Sequence, residues 1–482
     1  MRMSPPRVVK EADRRLGRVV SHAVVAHHRR RLARIGWAGA LEASGAVAAQ
    51  CGTPRRGSVE VLVDGAEALP RIADALRSAR SHVHLAGWHA EPGFALTRGA
   101  TPTILRNLLA ELSGRIDVRV LTWAGAPLPL FRPSRGQVRR LREQACNGTS
   151  IRWALDARER PLHCHHEKTV VVDDRVAFVG GIDLTSESGD RFDGTAHVAR
   201  AGVGWHDVAV RLTGPVVADV AEHFRMRWHE VTGETIPPVA RGEDGGDTEV
   251  RVVRTVPERV YSALPLGEFG ILEAYVRALS HARELVYLES QFLWSPELTA
   301  ILREKLRNPP SDRFRLLLVL PSKPNTGADD TRGCLAELVE ADDGRGRLLA
   351  CTLYAREGPF ADPIYVHAKV GIVDDRWLTI GSANLNDHSL FNDTEVNVVT
   401  EDPGLAAETR RRLWAEHLEL PLPDVSGDPT TLIDDVWKPI AEEQLEHLSA
   451  GAPLTHRIVR LPHVSRSSGR LLGPLQGLLV DG

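Results

Sequence analysis

The chain has 482 residues, 43% hydrophobic and 26% charged, which suits two or three globular domains and excludes a disordered chain. Its formal net charge of -3 gives the molecule as a whole no basic bias toward nucleic acid. Five cysteines (Cys51, Cys146, Cys164, Cys334, Cys351) lack the regular spacing of a disulfide framework, and no CxxC pair points to a zinc site.

The first 57 residues form a basic, helical extension, with 12 Lys and Arg against 3 Asp and Glu. Its cations cluster at Arg14, Arg15, Arg18, Arg29, Arg30, Arg31 and Arg34. Two readings stand: a solvated helix face, or a helix resting on an anionic membrane surface. No stretch approaches the ~20 apolar residues of a membrane span. The small apolar run 36–49 is interrupted by Glu42 and makes a poor signal peptide; a twin-arginine reading of Arg29-Arg30-Arg31 is the alternative. The expected location is cytoplasmic, with peripheral membrane contact through the basic segment.

Residues 58–236 read as a first α/β half. A helix over Leu69–Ser81, with Pro70 in its first turn, leads into a strand from His82 to Trp88, and a second strand covers Val118–Leu121. The apolar, Pro-rich loop Ala124–Phe131 suits an interfacial lip or a packed loop. His163-Cys164-His165-His166 resembles a metal cluster, but neighbours on a strand point to opposite faces and cannot all reach one ion. Asp207–Leu212 reads as a strand and Val216–Trp228 as a helix. Residues 237–250 are the linker, marked by the Pro/Gly/acidic run Pro237–Asp247.

Residues 251–420 repeat that order. A helix over Gly270–Arg283 precedes strands Leu285–Glu289 and Leu316–Leu320; a strand Glu395–Val399 precedes a helix Leu405–His417. The repeat is sharpest where HEKTVVVDDRVAFVGGIDLT (166–185) matches HAKVGIVDDRWLTIGSANLN (367–386), offset by 201 positions without a gap. The tail, 421–482, reads as loop-rich, with Gly473–Val480 docking apolar residues onto the core. The expected fold class is α/β: two pseudo-twofold-related α/β/α sandwich halves with mixed sheets and one shared active site at their interface. A monomer is expected.

The repeated residues suit phosphodiester chemistry. On an extended strand, residues i and i+2 share a face, so His166 with Lys168, and His367 with Lys369, point together. Two imidazoles can divide the nucleophile and acid roles. Two lysines can bind the phosphate as point charges, so neither a metal nor a cofactor is required. Ser382 and Asn384 are expected to add phosphate hydrogen bonds. Asp207 and Glu395, at equivalent places in the repeat, are the candidates to orient the imidazoles. Asp173 and Asp374 complete the signature, with an expected role in holding the turn or neighbouring backbone. Gly180-Gly181 and Gly381 permit close approach of a ligand. His165, His197 and His206 are expected to be hydrogen-bonded structural residues. Trp88, Phe292, Leu293 and Trp294 pack in the core or line a substrate pocket.

The doubled His-x-Lys-x4-Asp motif, followed after six intervening residues by Gly-Gly/Ser-x-Asn/Asp, resembles the phospholipase D superfamily over residues 58–420. Asp190-Arg191-Phe192-Asp193 with His197, and Trp205-His206-Asp207 with Gly214-Pro215 and Phe224–Trp228, are similar to its phospholipase D branch rather than its nuclease branch. The resemblance implies a two-step reaction through a phosphohistidine, with His166 as nucleophile and His367 as acid and base, acting on a phospholipid. Asp183, where the second half has Asn384, departs from the pattern and puts direct phosphate contact there in doubt. A cardiolipin-synthase-like phosphatidyltransferase is the alternative. A metal-independent nuclease is disfavoured, because the body beyond residue 57 is net acidic and no nucleic acid partner is expected.

Overall fold

Two mixed sheets, each built on seven strands in the same order, position everything else. The computed structural model describes residues 22–43, 52–127, 132–197, 202–239, 246–324 and 328–462. The first sheet contains β1 (Arg55–Val63), β2 (His82–Gly87), β3 (Asp117–Trp123), β4 (Arg152–Asp156), β5 (Thr169–Val172), β6 (Val176–Gly180) and β7 (Val208–Thr213). Their spatial order is β4-β3-β2-β5-β6-β7-β1, with β2, β3 and β4 parallel. The second sheet contains β8 (Thr248–Val256), β9 (Leu285–Glu289), β10 (Arg315–Val319), β11 (Leu348–Glu357), β12 (Val370–Val373), β13 (Trp377–Gly381) and β14 (Glu395–Thr400). Its order, β11-β10-β9-β12-β13-β14-β8, is the same strand for strand. Residues Arg55–Gly57 of β1 pair antiparallel with β8, so the sheets are joined along one edge.

The near-continuous Val/Ile/Leu strands are buried on both faces, as parallel-rich sheets must be. Between the sheets, Val171, Val179 and Val210 share one core with Ile380, Val396 and Val398. On the outer face of the first sheet, helices Asp64–Arg77 and Leu105–Ser113 bury Leu69, Ile72, Leu108 and Leu112 against Val83 and Val118. Helices Gly270–His281 and Pro296–Arg307 do the same for the second sheet through Leu272, Val276, Leu298 and Leu302.

Several expectations are corrected. The first helix starts at Asp64, so Pro70 lies inside it rather than in its first turn. The early start has a local cause: the Glu67 carboxylate accepts the N–H of Val63 at 2.9 Å, satisfying a donor at the helix entrance. The basic extension is not wholly solvated. Within the helix over 22–34, Arg31 is buried and bonds Glu258, Asn392 and the carbonyl of Phe391, while the His28 ring stacks on Phe391 at 3.8 Å. Arg29, Arg30 and Arg34 remain exposed; Arg14, Arg15 and Arg18 lie outside the described residues. The tail is less loop-like than its composition suggests. Helix Lys438–Ala450 and a strand Ile458–Arg460, paired with β11, bury Ala441 and Ile458 in the central core. Residues 128–131 of the Pro-rich loop, 240–245 of the linker, and Gly473–Val480 fall outside the described residues. Among the described residues, no helix is long and apolar enough to cross a membrane.

Candidate active site

The two motifs meet by exchanging backbone hydrogen bonds. The N–H groups of His166 and Glu167 both donate to the carbonyl of Thr394, at 2.9 and 3.0 Å. Those of His367 and Ala368 both donate to the carbonyl of His206, at 2.8 and 3.1 Å. Thr394 immediately precedes Glu395, and His206 immediately precedes Asp207, so each carboxylate is delivered to the imidazole of the opposite half. His166 Nδ1 is hydrogen-bonded to Glu395 Oε1 at 3.0 Å, and His367 Nδ1 to Asp207 Oδ2 at 2.7 Å. With Nδ1 engaged, Nε2 is the nitrogen of each ring that a reaction would use.

The His-x-Lys triplets do not lie within strands, as alternation suggested; they stand in the irregular segments just ahead of β5 and β12. Each ammonium turns back onto its own histidine's carbonyl: Lys168 Nζ donates to His166 O at 2.7 Å, and Lys369 Nζ to His367 O. Lys168 also pairs with Asp183 Oδ2 at 3.2 Å. Both imidazoles line one cleft, with Trp88 and Trp205 as aromatic walls and Asp183, Glu187, Arg191 and Gln291 as polar groups.

Burial of this cationic cluster shapes its titration. His367 is held well below the usual imidazole range by burial, then by Lys369, Lys168, Arg191 and His166. Burial brings Lys369 down to about 7, with Asp207 opposing and Lys168 adding. Among the carboxylates, burial pushes Asp207 up to about 6 against the pull of Lys369, and Glu395 up to about 8 against Lys168, Ser382 and Ser389. Cationic groups gathered in one buried cleft suit an anionic ligand.

The remaining signature residues have distinct places. Asp173 accepts the N–H groups of Arg80, Ser81 and His82 at 2.8–2.9 Å, and Asp374 those of Arg283, Glu284 and Leu285 at 2.8 Å. Each therefore clamps the entry to β2 or β9. Both take positive φ (55° and 53°), which aspartate tolerates better than most residues. Ser382 Oγ donates to Glu395 Oε2, and Ser389 Oγ donates to Glu395 Oε1 at 2.6 Å. Asn384 Nδ2 donates to Gln291 Oε1 at 3.3 Å. The structure thus brings Ser382 to the orienting carboxylate and Asn384 to a cleft-lining amide. The glycines serve close approach, but of protein rather than ligand: a Cβ at Gly181 would collide with the Asp207 carboxylate, and one at Gly381 with Asn397.

His165, His197 and His206 are buried and bonded, His165 to Thr394 and the other two within a carboxylate network. Trp88 lines the cleft, Trp294 meets the His388 ring edge-on at 5.3 Å, and Phe292 and Leu293 are fully buried. Sequence reasoning missed Glu187, Gln291 and Ser389. Gln291 lies just beyond β9, as Trp88 lies just beyond β2, and that equivalence was the available signal. The grouping of Asp64, His197, His206 and Glu416 has metal-ligand types, yet both rings bond carboxylates through both nitrogens: His197 to Asp193 and Glu416, His206 to Asp64 and Glu289. That pattern is complete with imidazolium, and burial is outweighed there by the carboxylates, which bring His197 up to about 9.

Residues 319–416 match the family described as "Cardiolipin synthase, PLD-like domain". The chain is 25% identical to phospholipase D A of Dictyostelium discoideum over 78% of its own length and 37% of that protein. It is 24% identical to phospholipase D alpha 2 of Arabidopsis thaliana, over 80% of this chain and 69% of the relative. The chain therefore spans little more than a third of the Dictyostelium relative. Its fold is similar to that of the phosphatidylserine synthase of Haemophilus influenzae Rd KW20, with a TM-score of 0.50 and 14% identity over 75% of this chain and 87% of the other.

Proposed function

The chain belongs to the phospholipase D superfamily, and from that premise we propose that it is a phospholipase D-type phosphodiesterase, hydrolysing or transphosphatidylating glycerophospholipids. One observation carries the reading: two histidines, each oriented by a carboxylate from the opposite half, line a single cleft beside two lysines and Arg191.

In this reading the phosphate sits between the ammonium groups of Lys168 and Lys369, whose charge offsets the negative charge on the non-bridging oxygens. Nε2 of neutral His166 attacks phosphorus and the bond to the headgroup oxygen breaks. His367, protonated once the bound anion offsets the surrounding cations, gives its proton to that oxygen. Neutral His367 then takes a proton from water or an alcohol, whose oxygen attacks phosphorus and breaks the P–N bond. The products are the free headgroup alcohol and phosphatidic acid, or a new phosphatidyl ester. Glu395 and Asp207 fix ring orientation and tautomer. Ser382 supports Glu395, and Asn384 acts through Gln291.

The description of the family matched by residues 319–416 favours a second reading in which the acceptor is the glycerol hydroxyl of phosphatidylglycerol. One assay separates the two. Purified protein is given phosphatidylcholine vesicles with and without 1-butanol, and phosphatidylglycerol vesicles in parallel. Phosphatidic acid, diverted to phosphatidylbutanol by the alcohol, supports the first reading; cardiolipin from phosphatidylglycerol supports the second. DNA cleavage without lipid turnover would overturn both.

A further inference from the structure

Outside the cleft, one group of side chains is assembled unlike the others. His163 Nδ1 and His388 Nδ1 face each other at 2.8 Å. Asp393 stands beside both, its Oδ1 at 3.4 Å from His163 Nδ1 and its Oδ2 at 4.0 Å from His388 Nδ1. Asp393 Oδ1 accepts the N–H of Cys164 at 2.9 Å, whereas Oδ2 is buried and has no hydrogen-bond partner among the described residues. In the Asp64 network both nitrogens of His197 and of His206 bond carboxylates. Here two imidazole nitrogens meet each other, with an unsatisfied carboxylate oxygen at their side.

We propose that His163, His388 and Asp393 form a binding site for a zinc-type divalent cation that ties the two halves together beside the active site. Two imidazoles and one carboxylate are a donor set suited to such an ion. At Zn–N distances of about 2.0–2.1 Å, tetrahedral ligands sit roughly 3.3 Å apart. To reach that spacing the His163 ring, the most exposed of the three at 16%, opens slightly from His388, and the Asp393 carboxylate closes slightly on His388. A fourth position remains for water from that open side. The segments joined are the ones that matter most. His163 lies three residues before His166, and His388 and Asp393 flank Ser389, which donates to Glu395, two residues beyond Asp393. The cation therefore braces the same inter-half contact that delivers Glu395 to His166. Its role is positional, and it does not depend on the identity of the substrate.

The test reads binding rather than turnover. Metal-depleted full-length protein is titrated with ZnCl2 by calorimetry, and its thermal midpoint is followed with and without the ion. The expected result is one equivalent bound, a raised midpoint, and an affinity weakened by more than about tenfold in His163→Ala. Because His163 is partly exposed, that variant should stay folded; His388→Gln provides a second arm from the opposite half. No binding, or binding and stabilisation unchanged in both variants, overturns the site. In that case the two rings share a proton, or zinc sits on the cleft histidines instead. Loss of lipid turnover with zinc binding intact would overturn the proposed function and leave this site standing.

Discussion

His166 and Glu395 lie 229 positions apart yet share a hydrogen bond of 3.0 Å, and the backbone of Thr394 makes that pairing obligatory by accepting the His166 N–H. The mirrored pair His367–Asp207 obeys the same rule through His206. Neither motif histidine takes its orienting carboxylate from its own half. Glu395→Gln and Asp207→Asn should each keep the fold but disturb ring tautomer and charge, lowering kcat by about 10²–10⁴-fold. His166→Ala or His367→Ala should leave less than about a few per cent of wild-type kcat. A Glu395→Gln enzyme with near wild-type turnover would remove the orienting role.

Asp173 and Asp374 should behave differently from the histidines. Each carboxylate satisfies three backbone donors at the start of a strand, and neither lines the cleft. Asp173→Ala or Asp374→Ala should cost about 1–3 kcal/mol and lower the denaturation midpoint, with kcat per folded molecule retained. Loss of kcat at unchanged stability would place them in the chemistry instead.

Gly181 offers a test of positioning at one remove. No side chain fits there without displacing the Asp207 carboxylate. Gly181→Ala should therefore resemble Asp207→Asn in kinetics, lowering kcat more than it raises KM. Kinetics indistinguishable from wild type would show that Asp207 can move without consequence.

Much of this was legible in the sequence, and the reasons differ by level. The repeat at offset 201 exposes the paired strands because valine-rich β5 and β12 must be buried on both faces and cannot drift. The imidazole–ammonium pairs are legible because no common structural role needs His-x-Lys twice at one spacing. What composition could not reveal is pairing across the halves: Asp207 and Glu395 could be nominated by position, but not matched to their histidines. Arg31 read as solvent-facing because a charge run says nothing about Glu258 and Asn392, 227 and 361 positions away. The tail read as loop because its helix is polar on most sides, with burial concentrated at Ala441 and Gln444.

The proton on Lys369 should set the alkaline limb of activity. Burial lowers its folded value to about 7, so the free enzyme loses this charge as pH rises through 7. If phosphate capture needs the ammonium, kcat/KM on a soluble short-chain phospholipid should fall above pH 7, by about tenfold per unit. Lys369→Arg, protonated throughout, should start lower and lose that limb. A wild-type profile flat from pH 6 to 9 would contradict the assignment.

Arg227 anchors the buried polar core behind His166, and its removal makes a prediction with a sign. Its guanidinium is fully buried and donates to Glu167, Asp156 and Tyr261, while His223 bonds Glu167 Oε2 at 2.6 Å. Burial alone would raise Glu167, but Arg227 and His223 outweigh it and hold the carboxyl at about 2. A depressed carboxyl contributes stability that is present above its unfolded value, near 4.5, and lost as pH falls through 2. In Arg227→Met Glu167 loses its main partner and Asp156 loses one of two, so at pH 7 the variant should be less stable by about 3–5 kcal/mol. Glu167 in the variant then rises above its unfolded value, and protonation relieves the strain. Its denaturation midpoint should therefore recover toward wild type between pH 7 and 5, where wild type itself gains nothing from Glu167. A gap that stays constant or widens over that interval would show that Glu167 is not the group Arg227 neutralises.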